Sequence, residues 1–319
     1  MTRRGVLLFA GLGLAWGIPY LFIKIAVGEL EPAMVVLSRA GLAAILLMPL
    51  ALFRREVGPV LRRWRPMLVY TVVEIILPWY FLSTAEERLP SSTAGLLLAA
   101  VPLAGVAVAF AMGRPERLSG LNWAGIAIGM LGVAALVGLD VGGSDLIAVA
   151  QMAVVVVGYA LGPAVLARWM SDLPGIGVVA VSLAGTAVAY VPFVLLTGAW
   201  PSAWPSGQAI LAIVVLAVVC SALAFVLMVS LVSEIGPVKA TAITYVNPAV
   251  AIIAGVLVLG EQVTVWTIVG FVLVLGGSYF VTRRPRPGDA RTASDSAASM
   301  PTVSAEGPDE APAVETRRP

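Results

Sequence analysis

The chain has no histidine and a single cysteine, Cys220. It therefore lacks the one side chain that ordinarily titrates between about pH 5 and 8, which is also the commonest metal ligand. One thiol forbids an intrachain disulfide and any CxxC or zinc-ribbon site. No metal and no cofactor is expected, and a Ser-His-Asp set is impossible. The phosphate-cradling pattern GxxxxGK[ST] is missing as well, so the chain carries no ATPase of its own and no enzyme activity is expected. Charge is scarce: only 12% of the 319 residues are Asp, Glu, Lys or Arg, against about 25% in a soluble domain. No basic patch is interleaved with aromatics, so nucleic acid is not an expected partner.

What is present is apolar. Hydrophobic residues make up 60% of the chain, and the mean hydropathy is +0.97. A single soluble core could not hide that much apolar surface, and disordered chains are polar rather than greasy. The composition predicts an all-α integral membrane protein, with the lipid bilayer as its surroundings.

Ten apolar segments can be marked: Gly5–Val27, Pro32–Phe53, Pro66–Ser83, Ser91–Met112, Ser119–Leu139, Leu146–Met170, Gly175–Thr197, Gly207–Leu231, Pro237–Gly260 and Thr264–Thr282. Each has about the 18–25 residues that a helix needs to cross roughly 30 Å of hydrocarbon. The first is too long for a signal-peptide core and is expected to be retained. The connections are short, and the longest, Arg54–Arg65, is far too small for a soluble domain. Residues 283–319 are rich in Pro, Ala, Ser, Thr, Asp and Glu, so a disordered tail is expected. It is either dispensable or regulatory.

Basic residues set the orientation. Arg3, Arg4, Arg54, Arg55, Arg62, Arg63, Arg65, Arg114, Arg117, Arg168, Lys239, Arg283, Arg284 and Arg286 all fall on one side of a ten-span chain, whereas Arg88 stands alone on the other. The positive-inside rule puts both termini in the cytoplasm.

The two halves resemble each other. Pro102, Glu116, Gly125 and Gly132 in the first correspond to Pro248, Glu261, Gly270 and Gly277 in the second, and both glycine pairs match at an offset of 145 residues. Five spans is an odd number, so halves of one fold must lie inverted in the membrane. Inverted repeats meeting at the midplane are a recurring transporter plan. Chance similarity between Gly- and Ala-rich helices is the competing account.

These residues carry a likeness to a known family. Trp16-Gly17-Ile18-Pro19-Tyr20 followed by Lys24, Arg39 in the second span, Pro102 and Pro248, and the turn Leu259-Gly260-Glu261-Gln262-Val263-Thr264 resemble the EamA family of the drug/metabolite transporter superfamily. The first-half turn, Gly113-Arg114-Pro115-Glu116-Arg117-Leu118-Ser119, is a stretched version with two extra residues. The likeness covers about Gly5 to Thr282. It implies ten transmembrane helices as two five-helix inverted repeats, residues 1–140 and 141–282. It further implies a carrier in the bacterial inner membrane for small polar metabolites, amino acids or drugs, often an exporter. Gly17, Pro102, Glu116, Pro248, Gly260 and Glu261 are the structural residues of that pattern. A membrane scaffold that binds a partner and moves nothing is the alternative.

Charges inside hydrocarbon are expensive and usually face a cavity or each other. Lys24 lies about 5 Å deep in the first span, where snorkelling competes with a substrate contact or a gate. Arg39 lies roughly 10 Å deep in the second, where a cavity or an ion pair is favoured. Glu74 is near the middle of the third span and is counted as the only intramembrane acid. It is expected to pair with Arg39, to bind substrate or the coupling proton, or to be merely tolerated. Trp16 and Tyr20 are four residues apart and share a helical face. Trp79 and Tyr80 follow the helix break at Pro78. Gln151 and Tyr159 share a face of the sixth span, and Tyr245 and Asn247 precede Pro248. All are candidates to surround a polar solute. Interface anchoring or packing competes for the aromatics, and interhelical hydrogen bonding for Asn247. Gly13–Gly17 and Gly125–Gly129 have small-xxx-small spacing, which suits either an internal contact or a homodimer, so monomer and homodimer both stay open.

Overall fold

A computed structural model describes residues 2–113, 118–137, 145–236 and 240–282. No strand occurs among the described residues. In chain order the long helices are α1 (Arg3–Val27), α2 (Pro32–Phe53), α3 (Trp64–Glu86), α4 (Ser91–Ala111), α5 (Gly120–Ala135), α6 (Leu146–Trp169), α7 (Gly175–Thr197), α8 (Gly207–Ile235), α9 (Ala242–Leu259) and α10 (Val265–Thr282). All of these but α5 are long and apolar enough to cross a membrane.

Local chemistry sets the ends. α2 opens on Pro32, whose missing N–H is no loss in a first turn. α7 stops at Gly198 and α9 at Gly260, both left-handed, with φ of 71° and 65°, a conformation that glycine adopts without a Cβ clash. Ser206 caps α8 by accepting from Ala209 N at 3.2 Å, and Ser119 with Asn122 forms a capping box at the start of α5.

Several helices are irregular inside. α1 is two pieces, Arg3–Gly17 and Pro19–Val27, because Pro19 has no N–H to continue the ladder. α3 widens to a π-helix over Val72–Ile76 and α8 over Val218–Leu223. α4 tightens to 3-10 geometry over Leu98–Ala100, just before Pro102, and α9 begins with a 3-10 turn, Thr241–Tyr245, just before Pro248.

Lipid gives helices no hydrophobic reason to associate, so close packing has to hold them. α5 and α10 show how: a Cβ on Gly277 would meet the backbone N and Cα of Gly129 and the carbonyl of Gly125. The Gly125–Gly129 spacing thus builds an internal contact. Asn122 Nδ2 finishes it by donating to the carbonyls of Phe280 and Val281 at 3.0 and 2.9 Å. Elsewhere α2 packs on α7, α4 on α9, α1 on α8 and α3 on α6. Large apolar residues such as Phe53, Leu196 and Leu257 point outward.

Two expectations need correction. The third segment extends beyond Ser83 to Glu86, so Glu86 is not a loop acid: it is 0% exposed on a spanning helix. Glu74 is therefore not the only acid there. The connection Arg54–Arg65 is as small as expected and holds one short helix, Val57–Arg62. The fifth segment is α-helical over Gly120–Ala135 and continues as a wide turn through Leu136 and Val137, and the rest of the expected Ser119–Leu139 lies outside the described residues. The expectations for Glu116, Lys239 and the tail 283–319 lie outside the described residues.

Candidate functional site

Arg39 of α2 is 6% exposed, which makes it a charge inside a helix bundle. Its guanidinium carbon lies 3.7 Å from the centroid of the Trp79 ring on α3. Its Nε donates to Ser221 Oγ on α8 at 2.9 Å, and Ser221 Oγ donates in turn to the carbonyl of Leu216 at 2.8 Å. That carbonyl is five residues back, where the π-winding of α8 leaves it available. The wide turn thus orients the hydroxyl that orients Arg39. Tyr20 of α1, Tyr159 of α6, Cys220 of α8 and Glu86 of α3 all lie within electrostatic reach of the guanidinium. Trp79 and Tyr159 are within hydrogen-bonding reach of each other.

The Arg39–Glu74 pair proposed from depth alone does not form. The ion pairs among the described residues are Arg4–Glu234, Arg54–Glu56 and Arg63–Asp172. Glu74 sits on the other wide turn, Val72–Ile76, and faces α6, where a Cβ on Gly162 would strike its carboxylate. Its Oε2 is buried without a hydrogen-bond partner. Depth placed the two charges at similar levels, but their helices turn them toward different neighbours.

The other candidates separate into two groups. Trp79, Tyr20 and Tyr159 join Arg39. Trp16 does not: it meets Phe225 edge-on at 6.0 Å within a cluster that includes Leu12, Ala15 and Leu231. Tyr80 meets Phe193 of α7 edge-on at 5.7 Å and lies tilted against Tyr190 of the same helix at 6.4 Å. The Tyr245 hydroxyl donates to the carbonyl of Ser278 at 3.1 Å and so ties α9 to α10. Gln151 and Asn247 are half-buried, and the side-chain oxygen of each is buried with no partner. Gly17 packs against Val250, where a Cβ would collide.

At the end of the bundle away from the N-terminus, polar ties join the helix ends. Lys24 Nζ donates to the carbonyls of Glu86 and Leu89, the latter at 3.0 Å, so its positive charge sits at the C-terminus of α3, where the helix dipole favours it. Glu261 accepts from the backbone N–H groups of Ser91 and Ser92 at 2.7 and 3.0 Å and caps α4 from the second half of the chain. Burial pushes that carboxyl up, but hydrogen bonds from Ser92 and Ser91 outweigh it and hold it below its ordinary value. Glu29 accepts from Ser206 N and Oγ, and these bonds likewise lower its carboxyl. A cleft of about 440 Å³ opens at this end, lined by Met34, Ser38, Trp200, Trp204, Ile213 and Val214. Ser38 is next in sequence to Arg39.

The sequence reading missed Ser221, Cys220 and Glu86. A lone Ser and Cys in an apolar helix carry no pattern, and Glu86 is masked by its neighbours Glu87 and Arg88.

Comparison with known proteins adds the following. The sequence pattern of the EamA-like transporter family matches residues 3–138 and, a second time, residues 146–283. The chain is 30% identical over 291 residues to YedA, an uncharacterized inner membrane transporter of Escherichia coli strain K12, covering 87% of this chain and 92% of that one. The YedA protein of Escherichia coli O157:H7 matches to the same extent. A crystal structure of a protein 22% identical to this chain superposes with a TM-score of 0.63 over 88% of this chain and 98% of the other, a likeness of fold.

Proposed function

Since this chain belongs to the EamA-like transporter family, we propose that it is a secondary transporter of small polar metabolites in the bacterial inner membrane. It works as an exporter, by alternating access around Arg39. One observation carries this reading: a buried arginine of α2 whose contacts come from α3 and α8, with Tyr20 of α1 and Tyr159 of α6 beside it. Both halves of the chain build that one site. A structural charge would be satisfied by a counter-ion, whereas a transport site must leave room for its solute.

The proposed architecture is ten transmembrane helices in two five-helix inverted repeats, with both termini cytoplasmic. The family pattern that occurs twice supports it. So does the recurrence of irregularities: the wide turns of α3 and α8 begin 146 residues apart, at Val72 and Val218. The 3-10 turns of α4 and α9 precede Pro102 and Pro248, also 146 apart. The packing has the same symmetry. Exchanging the halves turns the α1–α8 contact into the α6–α3 contact and returns α2–α7, α4–α9 and α5–α10 to themselves. Such a body can rock about its centre and open the site to each side in turn. Glu74, on a wide turn with an unpartnered oxygen, is the proposed proton-coupling group.

The test is to overproduce the protein in bacterial cells and quantify metabolites inside and outside by mass spectrometry, with an empty-vector control. Expected is a fall of one metabolite class inside and its rise outside. Unchanged pools on both sides, under loading from either side, would remove the transport reading.

A further inference from the structure

The connection from α2 to α3 concentrates cations at one end of the bundle. Arg54 and Arg55 follow the last residue of α2, Arg62 and Arg63 precede α3, and Arg65 lies in its first turn. The two spans are 22 and 23 residues long, about 33–35 Å of helix. That exceeds the roughly 30 Å of hydrocarbon, so these arginines stand at the level of the lipid headgroups. The acids paired with the connection are already engaged. Asp172 holds Arg63 through hydrogen bonds of 2.8 and 2.7 Å, and the carbonyl of Trp169 takes a third. Glu56 lies 3.9 Å from Arg54 and accepts from the backbone N–H of Gly177 at 2.8 Å. Arg55, Arg62 and Arg65 are exposed, and their side chains make no hydrogen bond or ion pair among the described residues.

The same stretch is apolar as well as charged. Phe53, Leu61, Trp64 and Leu68 are exposed among these arginines and continue the outward-facing apolar surface of α2 and α3. The short helix Val57–Arg62 turns Val60 inward and leaves Leu61 and Arg62 outside. Trp64 stands between Arg62 and Arg65, and the guanidinium carbon of Arg65 lies 5.5 Å from the centroid of its ring. Tryptophan favours the boundary between hydrocarbon and water, and a guanidinium fork matches the oxygens of a phosphate. A soluble polyanion would use the cations but leave Leu61 and Trp64 unmatched, whereas a phospholipid meets both. The opposite end of the bundle lacks this pattern: Arg88 stands there next to Glu87, with Glu29 and Glu31 in the first connection.

We propose that Arg62, Trp64 and Arg65 form a binding site for the headgroup of an anionic phospholipid, with the phosphate on the two arginines and the acyl chains against the neighbouring apolar surface. Arg55, at the other end of the six-residue helix, adds attraction at longer range. The site is separate from Arg39 and does not depend on the transport reading. It bears on the same helices, because the connection joins α2, which carries Arg39, to α3, which carries Trp79. Glu56 ties that connection to the start of α7, and Arg63 ties it to the turn between α6 and α7. A headgroup seated there braces this end of the bundle from the lipid side.

The test uses the full chain purified in a neutral detergent and titrated with dioleoyl-phosphatidylglycerol or, as the zwitterionic control, dioleoyl-phosphatidylcholine. Native mass spectrometry counts the retained lipids, and thermal unfolding reads the stabilisation. Phosphatidylglycerol is expected to be retained and to raise the midpoint, with phosphatidylcholine at least about tenfold weaker. Arg62→Gln with Arg65→Gln should bring phosphatidylglycerol down to the level of phosphatidylcholine. Arg62→Lys with Arg65→Lys, which keeps the charges without the forks, should fall between. Arg3→Gln with Arg4→Gln removes as much charge from the same end of the bundle and should leave the preference intact. Lipid-free midpoints close to that of the parent would show that the variants fold. Equal retention of the two lipids, a preference that survives Arg62→Gln with Arg65→Gln, or an equal loss in the Arg3 and Arg4 variant would each overturn the site. Inorganic phosphate that displaces phosphatidylglycerol at equal concentration would assign these cations to a soluble anion and overturn it too. No flux enters these readouts, so their failure leaves the transport reading untouched, and unchanged pools in the cell assay leave this site standing.

Discussion

The charge of Arg39 on α2 rests on the face of Trp79 on α3, 3.7 Å from the ring centroid, and not on an acid. An aromatic face attracts a cation without neutralising it. Arg39 is thus both tolerated in the bundle and available.

Trp79 should therefore matter beyond its bulk. A desolvated cation–π contact is worth about 2 kcal/mol. Trp79→Phe, which keeps a π-face, should retain more stability and solute affinity than Trp79→Leu. Chemical denaturation in detergent and solute binding read the two effects. Equal losses in both variants would reduce the ring to packing.

Glu74→Gln keeps the shape of the side chain and removes its proton. The variant should fold and bind solute, with the dependence of flux on a proton gradient abolished. Full activity with an unaltered response to the gradient would eliminate Glu74 as the coupling group.

Gly277→Ala tests the tightest helix contact. Alanine normally favours a helix over glycine by about 1 kcal/mol. Here the new Cβ meets backbone of Gly129 and Gly125, which cannot rotate away, and overpacking costs typically about 1–3 kcal/mol. The unfolding midpoint should fall. A rise would mean that α5 and α10 are less closely seated.

Glu261 predicts a pH window. Its carboxyl is held below the ordinary 4.5 by Ser92 and Ser91, whose hydrogen bonds outweigh the opposing effect of burial. A depressed carboxyl contributes stability that is full above the ordinary value and lost as pH falls through the folded-state value. The cap on α4 should be intact at neutral pH and fail only in acid. Thermal unfolding followed from about pH 7 down to about pH 3.5 should show a steeper acid loss for the parent than for Glu261→Gln, by roughly 1 kcal/mol, the usual worth of a helix cap. Parallel curves would contradict the cap.

Much of the scaffold was legible because its signals are local. α2 and α7 occupy the expected Pro32–Phe53 and Gly175–Thr197, since a proline opens one and a left-handed glycine closes the other. Glu261 was identified as a structural turn residue, but its partners, Ser91 and Ser92, lie about 170 residues away and no spacing announces them. The site was legible in part for the same reason. Arg39 and Trp79 stand out as a charge and a large ring in apolar sequence. Which of them meet depends on helix rotation, and that is altered by the π-turns. Depth suggested Glu74 as the partner of Arg39; the winding of α8 supplied Ser221 instead. Lys24 looked like a snorkelling or gating charge, yet its ammonium is taken up by the end of α3.

The chain's one thiol lies inside the site. Cys220 is 1% exposed, adjacent to Ser221 and within electrostatic reach of Arg39. A membrane-impermeant thiol reagent reaches it only when the bundle adopts another arrangement, so the labelling rate from each face of a vesicle reports how often that face opens. No other cysteine has to be removed first. The protein carries its own conformational reporter, and protection of that thiol by a solute would identify cargo before any flux is measured.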